Sequence, residues 1–312
     1  MRRLLVPLDG SAFAESALPY AVTVAQGPTP CAIDLVGVDV PEPPVPEALA
    51  YNIMDAMREA EAHSSVREQK LRQYLHDMAV RLRAALPSVP IDTVVRRGIA
   101  AQELAAHAEE VNAELTVLTT HGRGGWDRLW FGSVTMDLLR RVNRPVLAVR
   151  PAPVPRDYLP LSGAALNTAV VAIDERLEPE PALATLKTLV GHAVDSVTLL
   201  HVALAPPRAL GRVIESESRE ALALRTAREA SRLLSLKTDA LTQRPHHVSA
   251  LVLEGADPAD VLLAHVDTHG THLMVLTTTS YHAVERLLFG SVADRLLQRA
   301  SVPLLLVPRA RD

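Results

Sequence analysis

The sequence is written twice. Leu129 to Val149 reads LWFGSVTMDLLRRVNRPVLAV, and Leu287 to Val307 reads LLFGSVADRLLQRASVPLLLV, with Gly132 aligned on Gly290 at an offset of 158 residues. Upstream, Val117-Leu118-Thr119-Thr120 repeats as Val275-Leu276-Thr277-Thr278 at the same offset, and Arg97-Gly98 answers Glu254-Gly255. The starts match as well: LLVPLDG ending at Gly10 pairs with AVVAIDE ending at Glu175, and LVGVDV with LLHVAL. A period this long exceeds the few tens of residues of a solenoid unit, so it means duplicated domains. The 312 residues accommodate two cores of roughly 150 residues each. The expected division is residues 1–151, a proline-rich linker at 152–163, and residues 164–312. The prolines of that linker cannot donate to a ladder or continue a helix, which predicts a stiff extended spacer.

Within one copy, short apolar runs alternate with helical periodicity. Leu4–Leu8, bounded by Asp9-Gly10, reads as a buried strand, and Phe13, Ala17, Tyr20, Ala21 and Val24 recur at helical spacing. Ile33–Val40 is a second strand, followed by a proline-rich loop. A long charged helix from about Asp55 to Leu86 carries one apolar face through Leu71, Leu75, Met78 and Leu82. Ile91–Val95, Leu115–Thr119 and Pro145–Val149 are strands, while Ala101–Val111 and the stretch from Ser133 to Arg141 are helices. Such alternation predicts an α/β fold of two repeated, doubly wound domains. Each would be a five-stranded parallel sheet covered by helices on both faces. The last strands, Pro145–Val149 and Pro303–Val307, are apolar, and an apolar edge calls for a pairing partner.

Composition narrows the function. With 48% hydrophobic and 22% charged residues, the chain falls in the soluble globular range. A net charge of −4 without a basic run argues against nucleic acid. Cys31 is the sole cysteine, which excludes an intrachain disulfide or a multi-cysteine metal site and reads as packing. Pro7, Asp9 and Gly10 cut short the apolar start, so no signal peptide is expected, and no run is long enough to span a membrane. The expectation is a cytoplasmic protein.

The stretch from His121-Gly122-Arg123-Gly124-Gly125 to Gly132-Ser133 follows a strand and opens a helix. Ligands of open parallel sheets sit beyond the carboxyl ends of the strands, where this segment is expected. Glycines let main-chain N–H groups approach an anion, and a helix start with a serine hydroxyl suits phosphate. From residue types alone, a phosphate cradle and an ordinary surface loop with a helix cap both stand. Neither GxxxxGK[ST] nor GxGxxG is present.

Taken with its flanks, this stretch resembles the nucleotide-binding universal stress proteins, whose motif is G-x2-G-x9-G-[ST] after the fourth strand. Here the motif reads Thr119-x2-Gly122-x9-Gly132-Ser133, with threonine at the first glycine. The chain looks like a tandem of two such domains over nearly its whole length. The resemblance implies an adenine-nucleotide alpha-hydrolase-like fold binding ATP, with or without Mg2+, in the first copy. It carries the family's Asp after the first strand onto Asp9 and its Val near the adenine onto Val38. By the same resemblance Pro7, Leu8, Thr119, His121, Gly122, Arg123, Gly124, Gly125, Gly132, Ser133, Val134 and Thr135 line the site. It also implies a homodimer acting in a stress response through a regulatory partner.

The second copy reads Thr277-x2-Ser280-x9-Gly290-Ser291, with His282 and Ala283 replacing Gly124 and Gly125, so tight nucleotide binding is not expected there. His265, His269 and His272 have metal-like spacing but fall at an expected helix C-terminus before Gly270, where histidines complement the dipole. No Ser-His-Asp triad or GxSxG elbow can be assembled. Two further readings remain on the same scaffold: a weak ATPase or nucleotide-transferring enzyme, and a nucleotide-free structural stress protein.

Overall fold

The computed structural model describes residues 1–41, 53–120, 133–151, 161–174, 179–204, 224, 228, 247–278 and 291–308. The chain divides into two compact units, Met1–Val142 with Pro151–Ala164, and Asn143–Arg150 with Ala165–Asp312.

In the first unit the elements are β1 (Arg2–Pro7), α1 (Ala12–Glu15), α2 (Leu18–Ala25), β2 (Cys31–Asp39), α3 (Ile53–Ala85), β3 (Ile91–Arg97), α4 (Ala100–Glu110), β4 (Leu115–Thr119) and α5 (Ser133–Arg141). The strands lie in the order β3-β2-β1-β4, all parallel. Leu4, Leu5 and Val6 of β1 and all five residues of β4 are buried, as a sheet covered on both faces requires. β2 shows the two faces directly. Asp34 meets His107 of α4, whereas Asp39, of opposite parity, meets Ser64 and Arg67 of α3.

α3 is the long charged helix; its described buried apolar residues Leu75, Met78, Ala79 and Leu82 recur at helical spacing, and Ser64 and Arg81 are buried with them. Where the helical spacing from Phe13 to Val24 suggests one helix, the structure has two. Pro19 opens the second, because its ring cannot sit inside a helix without clashing with a carbonyl one turn back. Near the far end of the linker, Thr23 Oγ1 of α2 donates to the Ala164 carbonyl at 2.8 Å, and the Ala164 N–H donates to that of Pro19 at 3.1 Å.

The second unit contains β5 (Val146–Val149), β6 (Thr168–Ile173), α6 (Glu180–Leu189), a 3-10 turn at Gly191–Ala193, β7 (Ser196–Leu204), β8 (His247–Gly255), α7 (Pro258–Thr268), β9 (Leu273–Thr278), α8 (Ser291–Arg299) and β10 (Leu304–Pro308). Its order is β5-β10-β9-β6-β7-β8. Five of these strands run parallel, and β5 lies antiparallel to β10 with Leu304 opposite Ala148 and Leu306 opposite Val146. Among the described residues each repeat thus supplies five strands. The last strand of the first repeat covers the apolar edge that β10 would otherwise expose.

Candidate functional site

From β1 the chain builds outward through β2 to β3, then returns to place β4 on the other side of β1. The order reverses between β1 and β4, and their carboxyl ends mark the position where open α/β sheets take ligands. Pro7, Leu8 and Asp9 leave β1 there, and Thr119 ends β4 there.

Gly10, at φ 83°, makes the turn after Asp9 that most side chains resist. Asp9 Oδ1 accepts from the Ser11 N–H at 2.9 Å and from the Ser11 hydroxyl at 2.6 Å, while Ser11 Oγ caps α1 by accepting from Ala14 N–H at 3.1 Å. The carboxylate is therefore fixed through one oxygen. Its Oδ2 has no hydrogen bond among the described residues.

Val38 is half-buried near the end of β2. Successive strand residues turn their main-chain groups to opposite neighbours. The Val36 carbonyl accepts from Leu8 N–H at 2.9 Å on the β1 side, and the Asp39 carbonyl accepts from Gly98 N–H at 3.1 Å on the β3 side. Val38 therefore turns its N–H and C=O toward β1, yet the β1–β2 register stops at Pro7 opposite Val36. A main-chain donor and acceptor thus stand two residues past the last β1–β2 pair on β2, and Asp9 stands two residues past it on the β1 side.

At the third strand end, Thr135 Oγ1 donates to the Thr119 carbonyl at 3.0 Å, and both residues are buried. That bond seats the first turn of α5 on the end of β4 and engages the Thr135 hydroxyl. Val134, next to it, is exposed. Ser133 begins α5, but its side chain lies outside the described residues, as do His121, Gly122, Arg123, Gly124, Gly125 and Gly132. Of the residues the sequence points to, the structure brings Pro7, Leu8, Asp9, Val38, Thr119 and Thr135 to one edge of one sheet.

Two clusters escaped sequence reasoning. Asp39, beside Val38, is buried; its Oδ2 accepts from Ser64 Oγ at 2.5 Å and its Oδ1 from Arg67 Nε at 3.0 Å. Burial works to raise the Asp39 pKa, but the bonds from Ser64 and Arg67 and the charges of Arg67 and Arg97 outweigh it and hold the pKa below its ordinary value. The only signal in sequence was a serine on the apolar face of a charged helix. The second cluster centres on Asp34, the other acid of β2, which binds Arg3 and His107.

In the second unit, Asp174 follows β6 and is exposed, and Val202 is buried in β7. The stretch from Ser280 to Gly290 lies outside the described residues. His265 and His269 stack at 4.1 Å between ring centroids, with Gly270 at φ 60° ending α7. No group of three metal-ligating side chains converges among the described residues, and no described helix is long and apolar enough to cross a membrane.

A mostly parallel sheet, helices on both faces and a ligand edge at the strand reversal define the doubly wound α/β class. The sequence pattern of the Universal stress protein family matches residues 1–150 and again 166–308. The chain belongs to that family and carries two of its domains. A universal stress protein of Methanocaldococcus jannaschii is 24% identical over 150 residues, 48% of this chain and 82% of its own. The crystal structure of a universal stress protein from Archaeoglobus fulgidus aligns over 99% of this chain and 98% of its own, with TM-score 0.63 and 15% identity. A functionally unknown protein of Pseudomonas aeruginosa aligns over 99% of this chain and 93% of its own, with TM-score 0.57 and 17% identity.

Proposed function

We propose that the first repeat binds an adenine nucleotide, ATP with or without Mg2+, and that the chain is a nucleotide-responsive regulatory protein rather than a fast enzyme. The observation that carries this reading is Val38. Its N–H and C=O turn toward the space past β1, and the edge of adenine offers an adjacent acceptor and donor of the matching kind. Asp9, fixed through Oδ1, supplies an acceptor for the sugar hydroxyls. The phosphates would then lie toward Gly122, Gly132 and Ser133, at the positive end of α5. The second repeat, with Ser280, His282 and Ala283 in place of Gly122, Gly124 and Gly125, would hold no nucleotide tightly.

The same reading includes a cytoplasmic homodimer working through a regulatory partner, for which light scattering on the purified chain is the first test. For the ligand, purified protein is denatured and the released nucleotides are identified. ATP is then titrated calorimetrically into the nucleotide-free chain. A single saturable site is expected. No released nucleotide and no heat of binding would overturn the reading in favour of a structural stress protein.

A further inference from the structure

Val38 is gripped on both sides by one helix. Immediately before it, Gly37 is so close to α3 that a Cβ there would stand 2.8 Å from the Leu71 side chain. Immediately after it, Asp39 takes the Ser64 hydroxyl on one oxygen and the Arg67 guanidinium on the other. Ser64, Arg67 and Leu71 follow one another at helical spacing along the inward side of α3. By contrast, β1 has no register pair with β2 beyond Val36. The strand segment that presents Val38 thus projects past its neighbour on one side, and α3 is packed against it from above the sheet. In the second repeat the residues aligned with Gly37 and Asp39 are His201 and Ala203, so neither half of this grip is repeated there.

We infer that Ser64, Arg67 and Leu71 are positioning residues, which hold the Val38 main chain in register for the base of an adenine nucleotide. The inference rests on the nucleotide reading above. The long helix is then a brace for the ligand edge as well as a cover for the sheet. A main-chain donor and acceptor recognise a base edge only if both stay within hydrogen-bond reach, and small displacements at such a site cost affinity steeply. Loosening the brace should therefore weaken base recognition while leaving the phosphate end alone.

The test uses the full chain and the variants Ser64→Ala, Arg67→Met and Asp39→Asn. Arg72→Ala serves as a control, since among the described residues Arg72 pairs with Glu68 alone, across the exposed face of α3. Each is titrated with ATP and with inorganic tripolyphosphate, and amide hydrogen exchange is followed across residues 33–40. The expected result is an ATP Kd raised about tenfold in the three variants, an unchanged tripolyphosphate Kd, and faster exchange at the Gly37 and Asp39 amides on either side of Val38, which face β3. Arg72→Ala should match wild type in all three. Equal losses for ATP and tripolyphosphate would show general destabilisation and overturn the inference. Variants that bind ATP as wild type does would overturn it too, leaving the nucleotide reading intact. A wild-type chain that binds no adenine nucleotide would overturn both.

Discussion

His107 of α4 and Asp34 of β2 are buried together, with the imidazole Nε2 3.1 Å from the carboxylate Oδ2. The other ring nitrogen, Nδ1, faces Arg96 Nη2 at 3.3 Å. An arginine can only donate and a carboxylate can only accept, so the ring is held as the neutral tautomer with its proton on Nε2. Asp34 completes its coordination with Arg3 Nη1 at 2.5 Å from Oδ1, and Arg3 reaches Asp92 at 3.1 Å. Arg96 also pairs with Glu110. Three strands and a helix are thus tied through one buried carboxylate.

Removing that carboxylate strands its partners. Asp34→Ala leaves a buried imidazole N–H without an acceptor and Arg3 with Asp92 alone. Breaking a buried charge pair from one side costs about 3–5 kcal/mol, and the partly exposed Arg3 puts this case at the lower end. Urea unfolding should show that loss. Nitrogen chemical shifts of His107 should report the Nε2–H tautomer in wild type and a mixture in the variant.

The duplicated sequence contains a second, uncharged solution to the same packing problem. In the register of the second unit, Thr198 stands where Asp34 does and Ser249 where Asp92 does, and their hydroxyls bond at 3.1 Å. Thr168 replaces Arg3. Replacing one charged member of a coupled cluster is worse than replacing its charged strand residues together with groups that satisfy one another, His107 being kept in both variants. The triple variant Arg3→Thr, Asp34→Thr, Asp92→Ser should therefore be more stable than Asp34→Thr alone. A cumulative loss across the three substitutions would count against this coupling.

The contrast between these two clusters shows what sequence alone could carry. The repeat, the strand and helix alternation and the positions of Asp9 and Thr119 follow from local pattern, because hydrophobic period and chain order fix them. Asp34 was visible as an acid in an apolar run, but its partner His107 is 73 residues away and sits on a helix whose own pattern marks it only as polar. The bracing of Val38 by Ser64 and Arg67 likewise depends on how far α3 slides along β2, a packing outcome with no local signature. The choice of β10 as partner for β5 is also non-local. Four apolar residues at an edge demand a strand without specifying which one.

His265 occupies the position of His107 in the second repeat but has no carboxylate aligned with Asp34. Burial, and secondarily the charge of the stacked His269, lowers its pKa below the ordinary value. A histidine depressed in the folded state binds its proton more readily when unfolded. Its stabilising contribution is thus complete above the unfolded pKa of about 6.5 and is lost as pH falls toward the lower folded value. Urea midpoints measured from pH 8 to pH 5 should decline in wild type, and His265→Gln should flatten the decline. An unchanged slope in that variant would assign the pH dependence elsewhere.

Turnover should be slow or absent. Phosphoryl transfer needs cations placed on the phosphates and a positioned attacking water. At the described ligand edge, Asp9 has one oxygen committed to the Ser11 turn, and Asp39 has both committed to α3. Phosphate release measured with saturating ATP and Mg2+ should stay below ~1 s−1, the low end of ordinary enzymes. A faster rate would mean that a catalytic group lies beyond these carboxylates.

The last prediction separates the two repeats by ligand. The two tryptophans of the chain, Trp126 and Trp130, both fall in sequence between Gly122 and Gly132, so tryptophan fluorescence reports on the first repeat without background from the second. Binding of ATP to the first repeat should change that fluorescence. Gly132→Val should abolish the response, since a branched side chain next to the start of α5 opposes the approach of phosphate to the helix N–H groups. Gly290→Val makes the same change ahead of α8 and should leave the response intact. Circular dichroism on both variants would establish that each remains folded. With both folded, loss of ATP binding in Gly290→Val and its retention in Gly132→Val would move the working site to the second repeat. The grip of α3 on Val38 would then have no part in binding.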